Sequence, residues 1–359
     1  MLTIHSNKSD PEAIAFCHRF LADNHPPRFV LGRNEYAVGI AETLDIDGFI
    51  DDFANDKTFM GKTIFKMTEV PMKSMVISAV IFVAPLTALR HLQRRGLVGI
   101  DYFRFQQYSG LPLKAVEYLS NAHNDIEENM EQYEWLYARM ADQQSKNVLE
   151  ALLNFRFSGD LSYMRDFGPA QDRQYFEDFL DLGAGEVFVD GGGFDGQTSL
   201  DFIRHCPDYR RVHLFEPDTD NLALARRNLA GCRDIIFHNS GLDECKKTIR
   251  FSARGDSASK VCELGSEVIP VDSLDHVVNE TITFIKMDIE GTERVALTGA
   301  SKHVLNDHPK LAICCYHKHD DLWKIPRQIL TMREDYALHL RHYTDGLHET
   351  VVFCVPSKI

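Results

Sequence analysis

Residues 187–199 read VFVDGGGFDGQTS. A short apolar run ends in aspartate, glycines follow, and QTSLDFIRHC continues with the character of a helix. Gly191, Gly193 and Gly196 satisfy the spacing G-x-G-x-x-G. The pattern predicts a buried strand, a turn tight enough for a ligand to approach the backbone, and a helix whose first amides face that turn. A helix N-terminus alone favours an anion, so the spacing by itself points to the pyrophosphate of a dinucleotide such as NAD. Asp190, just before the first glycine, and Asp195, inside the loop, point the other way.

The same alternation continues downstream. Strands are expected at 186–190, 211–217, 234–239, 283–288, 310–317, 337–343 and 350–356, with TIRFSA and EVIPV as an inserted pair. Strands alternating with helices predict a parallel sheet. The last two strands are separated only by TDGLHE, which is hairpin spacing, so the sheet should end with an antiparallel strand. Five β–α units closed by a hairpin describe the Rossmann-like sheet of class I methyltransferases, an α/β fold that is parallel with one antiparallel strand near the edge.

Strand ends on one side of such a sheet form the ligand crevice. Asp190, Asp195, Glu216 (in HLFEPDTDN), and Asp288 and Glu290 (in FIKMDIEGTE) would all rim it. Five carboxylates oppose a pyrophosphate and suit a guest with a sulfonium, an ammonium and a ribose diol. S-adenosylmethionine has all three. Glu216, about twenty residues past the loop, suits the ribose hydroxyls in either cofactor class. Taken singly, Asp195 and Asp288 also read as helix caps and Glu290 as a surface residue. Their joint occurrence at successive strand ends favours the cation.

The motifs EVFVDGGGFDGQTS, FEPD, FIKMDIEGTERVAL, PKLAICCYHKHDDLWKIP, LRHY and ETVVF occur in order between Asp160 and Pro356. In this the sequence resembles the FkbM family of S-adenosylmethionine-dependent methyltransferases. The resemblance implies methyl transfer to an oxygen, commonly a sugar hydroxyl of a glycan or glycosylated metabolite. It places Asp190, Gly191, Gly193, Asp195, Gly196 and Glu216 at the cofactor, with Phe194 in the same loop, and Asp288 and Glu290 beside the methyl group. The competing readings are an NAD-dependent oxidoreductase or epimerase of carbohydrate metabolism, and a non-catalytic methyltransferase-like scaffold.

A sugar hydroxyl is a poor nucleophile while protonated, so a positioned base is expected. His317, ending KLAICCYH, is the first candidate and Asp288 the second. A structural histidine is the plain alternative for His317. His317, His319, Asp320 and Asp321 also offer metal-ligand chemistry, but the two aspartates equally suit the first turn of DLWKIPRQI, so no metal is expected. Tyr316, Lys318 and Trp323 are candidates for the acceptor pocket. SARGDSASKV, Ser252 to Val261, reads as a mobile lid or a plain hairpin end.

Three regions are expected: a small Rossmann-like module at 1–110, a helical connector at 111–180 and the methyltransferase-like domain at 181–359. The module's first turn, LGRNEYAVG, has a single glycine in the turn itself, so packing, oligomerisation or substrate reach suits it better than nucleotide binding. A net charge of −14 without a Lys/Arg block argues against nucleic acid. The longest apolar run, Met75 to Leu89, is too short to span a bilayer and contains Pro85. The N-terminus shows no signal-peptide pattern, and none of the eight cysteines forms a C-x-x-C pair. A cytoplasmic protein with reduced thiols is expected.

Overall fold

The structure, a computed structural model, describes residues 2–5, 9–24, 26–170, 173–252, 260–261 and 267–357. The chain divides into two compact units. The first comprises Met1–Met130, Asn147–Gln171 and Tyr343–Glu349; the second comprises Glu131–Lys146, Asp172–His342 and Thr350–Ile359.

In the first unit, β1 (Arg28–Leu31), β2 (Gly48–Ile50), β3 (Thr58–Phe59), β4 (Lys62–Phe65), β5 (Met75–Ser78) and β6 (Val98–Asp101) form one sheet in the order β3-β4-β2-β1-β5-β6. Only the short β3–β4 pairing is antiparallel. The helices are α1 (Pro11–Leu21), α2 (Glu35–Thr43), α3 (Pro85–Arg94), α4 (Tyr102–Tyr108) and α5 (Glu117–Glu128). Phe29, Ile50, Val76, Leu92 and Leu97 pack into a core between sheet and helix. In the turn LGRNEYAVG, Asn34 Oδ1 accepts the amides of Tyr36 and Ala37 and so caps α2. The chain's own side chain thus satisfies the amides that a phosphate would take.

The helices α6 (Met130–Arg139) and α7 (Gln143–Ser158) follow. The stretch 111–180 is divided between the units: α5 lies in the first, nearly all of α6 in the second, and α7 has residues in both.

The second unit holds β7 (Val187–Gly191), β8 (Arg211–Phe215), β9 (Ile235–His238), β10 (Gly241–Leu242), β11 (Lys247–Ser252), β12 (Lys260–Val261), β13 (Glu267–Asp272), β14 (Phe284–Met287), β15 (Lys310–Cys314), β16 (Tyr336–His342) and β17 (Thr350–Pro356). Its main sheet runs β16-β17-β15-β14-β7-β8-β9. The strands are parallel except β17, which runs antiparallel to both β15 and β16. The antiparallel strand is therefore second from the edge, because the hairpin folds back between β15 and β16 instead of adding outside. The inserted strands form a separate four-stranded sheet, β10-β13-β11-β12. The helices α8 (Gln197–His205) and α9 (Thr219–Asn228) follow β7 and β8. Phe188 stacks on Phe202 of α8 and on Phe284 of β14, with centroids 4.4 and 5.0 Å apart, which seats the helix on the strand ahead of the glycine loop. Residues 253–259 of the SARGDSASKV loop lie outside the described residues. Among the described residues no helix is long and apolar enough to cross a membrane, and no disulfide forms.

Within the first unit, α3 begins without a cap of its own, since Ala84 offers none. Asp345, from the loop between β16 and β17, supplies it. Its carboxylate accepts the amides of Leu86 (3.0 Å) and Thr87 (2.9 Å) and the Thr87 hydroxyl (2.5 Å), and it is fully buried. The adjacent Gly346 is required, because a Cβ there would lie 2.3 Å from the Phe82 carbonyl oxygen. Asp345→Ala should cost about 2 kcal/mol, the loss of a cap plus two stranded buried amides. Urea unfolding of the variant against the wild type measures it; a difference below about 0.5 kcal/mol would show the cap to be dispensable.

Candidate active site

The glycine loop is shaped first by its own protein. Gly192 has φ +77°, and a Cβ there would sit 2.0 Å from the backbone oxygen of Asp288. Gly193 admits no side chain because Leu214 of β8 would lie 2.4 Å away. Gly196 has φ +85° and starts α8 against Leu229 and Ala225 of the neighbouring helix segment. Gly192, outside the G-x-G-x-x-G set, is thus the most constrained glycine. A Cβ on Gly191 would lie 2.9 Å from Leu242 Cδ1 and 3.1 Å from the Lys286 carbonyl oxygen. Phe194 is left-handed (φ +46°) and 47% exposed, a large apolar side chain held outward in the loop. Asp195 precedes the N-cap residue Gly196, and its Oδ1 accepts the Gln197 amide at 3.1 Å.

Asp190 does not offer its carboxylate to the crevice. It is fully buried and faces Lys286, its register partner on β14, with Nζ 3.0 Å from Oδ1; the Ser199 hydroxyl donates to Oδ2 at 2.7 Å. Lys286 Nζ also donates to the carbonyls of Gly191 (3.2 Å) and Gly192 (2.8 Å). Five unscreened carboxylates are therefore not what the strands present. Lys286 neutralises one of them. The sequence carried a signal for it: a lysine in the middle of FIKM, on an otherwise apolar strand, needs a buried partner.

Glu216 is buried, and its two oxygens each accept one amide at 2.9 Å, Phe194 N on Oε2 and Asp218 N on Oε1. Burial pushes its pKa up, partly offset by those amides. A carboxylate has about four acceptor positions, so each oxygen retains one for a hydroxyl donor.

At the next strand end, Asp288 accepts the hydroxyls of Tyr175 (2.8 Å, on Oδ2) and Tyr316 (3.0 Å, on Oδ1). His317 is wedged among carboxylates: Nδ1 lies 3.0 Å from Glu293 Oε1, and Nε2 lies 3.4 Å from Asp288 Oδ1 and 3.6 Å from Glu290 Oε2. Burial works against a charge on His317, but Glu293, Asp288 and Glu290 outweigh it and push its pKa up to about 9. Burial likewise opposes ionisation of Asp288, yet His317, Lys286 and the two tyrosine hydroxyls hold its pKa below the usual carboxylate range. With its pKa pushed up to about 9, His317 favours the protonated imidazolium at neutral pH, so its place at a strand end does not by itself make it a base. Glu293, fully buried, also accepts the amides of Ile289 and Gly291 and shapes the turn holding Glu290 at φ +57°. Asp321, buried nearby, has its pKa pushed up to about 7, by burial and then by Glu293.

At this site the ligand atoms that converge, within 4.8 Å of one another, belong to Asp288, Glu293 and His317 rather than to the run His317, His319, Asp320 and Asp321; a second such group among the described residues is Asp243, Glu244 and Cys245. In that run Asp320 pairs with Lys324 and Asp321 accepts the Lys318 amide. Glu293, Tyr175 and Lys286 were not singled out from the sequence. Tyr175 is more than a hundred positions from Asp288 and in the left-handed region (φ +74°), which no local pattern announces.

Residues 183–343 match the family described as "Methyltransferase FkbM domain". No curated protein matches. Among solved structures, the methyltransferase FkbM from Methylobacillus flagellatus KT is similar over 96% of this chain and 93% of its own, with 24% identity and a TM-score of 0.72, which shows a shared fold. An rRNA methylase from Streptococcus thermophilus overlaps 50% of this chain and 93% of its own at 16% identity and a TM-score of 0.35. Fibrillarin from Aeropyrum pernix, with S-adenosyl-L-methionine bound, overlaps 49% of this chain and 68% of its own at 12% identity and 0.31. The family match sets aside the oxidoreductase reading. The chain is a methyltransferase, and its similarity to the FkbM domain lies at residues 183–343.

Proposed function

We propose that the chain transfers a methyl group from S-adenosylmethionine to a hydroxyl of a sugar in a glycan or glycosylated metabolite. The observation that carries this reading is the placement of two differently prepared carboxylates at neighbouring loops. Glu216 retains acceptor capacity for a ribose diol beside a glycine loop that a ligand can approach. Asp288 is held ionised where an acceptor hydroxyl would meet the methyl carbon. Bound there, S-adenosylmethionine supplies an electrophilic methyl on a positively charged sulfur.

The chain's residues then have separable tasks. Gly191, Gly193, Gly196 and Phe194 form the floor and lip of the cofactor site, and Glu216 orients the ribose. Asp190, through Lys286 and Ser199, fixes the loop rather than touching the guest. Asp288 accepts a hydrogen bond from the acceptor hydroxyl and holds it in line with the methyl carbon, the main contribution to such a displacement. In the displacement that bound S-adenosylmethionine would support, the acceptor oxygen would gain the methyl group as the methyl–sulfur bond breaks, and Asp288 would take the hydroxyl proton. A weakly basic carboxylate is sufficient for so late a transfer. His317, as an imidazolium, lies between Asp288 and Glu290, helps to hold Asp288 ionised and is a positioning residue.

Calorimetric titration tests the cofactor assignment: the wild type binds S-adenosylmethionine, and Glu216→Ala weakens it at least tenfold, about 1.4 kcal/mol. Binding of NAD in its place would overturn the reading. For the acceptor, purified enzyme is incubated with isotopically methyl-labelled cofactor and a cellular glycan extract; label is expected in a sugar ether, and label found only in protein or nucleic acid rejects a glycan acceptor.

The role of His317 is separable by pH. Were His317 the base, turnover would climb as pH rises through its pKa. With His317 as a charged support, turnover is level around neutrality and falls as pH passes about 9, while Asp288→Asn loses roughly a hundredfold or more throughout. Stability follows the same group. A histidine whose folded pKa stands above its usual 6.5 stabilises fully below pH 6.5, and that contribution is lost as pH rises to about 9. His317→Gln should flatten the stability profile across this window in urea titrations at several pH values.

A further inference from the structure

The first unit contains a cavity of about 380 Å³ bordered by α4, α5 and the C-terminal turns of α7. Its wall combines apolar side chains, Phe103, Val116, Leu119 and Phe157, with polar ones that are nearly all uncharged. Gln106, Gln107, Ser120 and Asn124 supply amides and a hydroxyl, and among the described residues the only titratable side chains besides the Tyr102 phenol are His123 and Arg156. Among the described residues no carboxylate lines it, in a chain with 53 acidic residues. Arg156 is 1% exposed, and its Nε, Nη1 and Nη2 are all buried with no hydrogen-bond partner among the described residues. Its guanidinium stands over the Tyr118 ring at 5.2 Å.

A buried, unpaired arginine is costly. Cation–π contact offsets only part of the cost of removing the charge from water. The guanidinium cannot shed its proton to escape that cost. An anion that arrives with the ligand would offset it, and a planar carboxylate matches the guanidinium fork with two parallel hydrogen bonds. One fixed cation suits a monoanion better than a phosphate dianion. His123 is already engaged, its Nδ1 with the Phe157 carbonyl at 2.8 Å and its Nε2 3.6 Å from Glu127 Oε1. The neutral amides and the serine hydroxyl around it are partners for hydroxyl groups.

We propose that this cavity is a second ligand site, which takes a small polyhydroxylated carboxylate, a sugar acid, with Arg156 binding the carboxylate. It stands on the first unit alone and is independent of the methyl-transfer reading.

The full chain is titrated calorimetrically with glucuronate, gluconate and galacturonate, and in parallel with glucose and glucose 6-phosphate. At least one of the three carboxylates is expected to bind at least tenfold more tightly than glucose, and Arg156→Met abolishes that difference. Binding of none of the three, or equal binding by the Arg156→Met variant, overturns the proposal; preference for the phosphate overturns the carboxylate assignment. Thermal unfolding without ligand supplies an independent readout. If Arg156 is kept for a ligand, Arg156→Met leaves the midpoint unchanged or raised, and if it is a structural residue the midpoint drops. Should that variant fail to fold, which itself counts against the proposal, Ser120→Trp at an exposed lining position is expected to block carboxylate binding with an unaltered circular dichroism spectrum, and retained binding contradicts the site.

Discussion

The ion pair between Lys286 and Asp190 is the constraint on which the catalytic end of the second unit depends. The two residues are register partners on the adjacent parallel strands β14 and β7, and both side chains are almost wholly removed from water. Such a pair is tolerable only with good geometry and additional hydrogen bonds, because desolvation costs several kcal/mol per charge. Here the ammonium has three oxygen acceptors, and Ser199 takes the second oxygen of the aspartate. Two of the three acceptors are the carbonyls of Gly191 and Gly192, so the pair dictates the direction in which the chain leaves β7. Gly192 is then pressed against the Asp288 carbonyl, Gly193 against Leu214, and the Phe194 amide is delivered to Glu216. The glycine spacing is a consequence of this packing as much as of any guest.

The charge balance of the site follows. Asp190, Glu216, Asp288, Glu290 and Glu293 stand against Lys286 and His317. The two cations are internal: Lys286 spans the base of the loop, and His317 lies among three of the carboxylates. The surplus remains negative, so the preference for a positively charged guest survives, at lower strength than five open carboxylates imply. Both cations also help to keep Asp288 ionised against its burial.

What the sequence disclosed and what it concealed divide along contact range. Strand periodicity and the TDGLHE hairpin spacing are local, and they sufficed for the α/β architecture and for all seven strands of the main sheet. The position of β17 inside the edge strand depends on which partner a hairpin chooses, which spacing does not specify. The clustering of Glu216, Asp288 and Glu290 at successive loops was legible because a parallel sheet brings its strand ends together. The protonation of His317 was not, since it depends on Glu293, whose inward orientation is set by the turn at Ile289–Gly291. Nor was the cap of α3 by Asp345, 258 positions beyond Thr87. A charged residue in an apolar strand, as in FIKM, was the one readable sign of the ion pair.

Three non-glycine residues with left-handed backbone, Tyr175, Phe194 and Glu290, belong to this group of loops. Each such conformation costs on the order of 1 kcal/mol and persists only where the surroundings over-determine it. Those surroundings are visible. The Tyr175 hydroxyl is committed to Asp288, the Phe194 amide to Glu216, and Glu290 lies between Ile289 and Gly291, whose amides are both taken by Glu293. The strain is borne by residues whose polar groups, or whose immediate neighbours, bind the carboxylates to be aimed. The site therefore holds its dipoles and charges in place before any substrate arrives, and for a displacement that needs alignment more than strong acid–base chemistry, that fixed arrangement is the main contribution a protein can make.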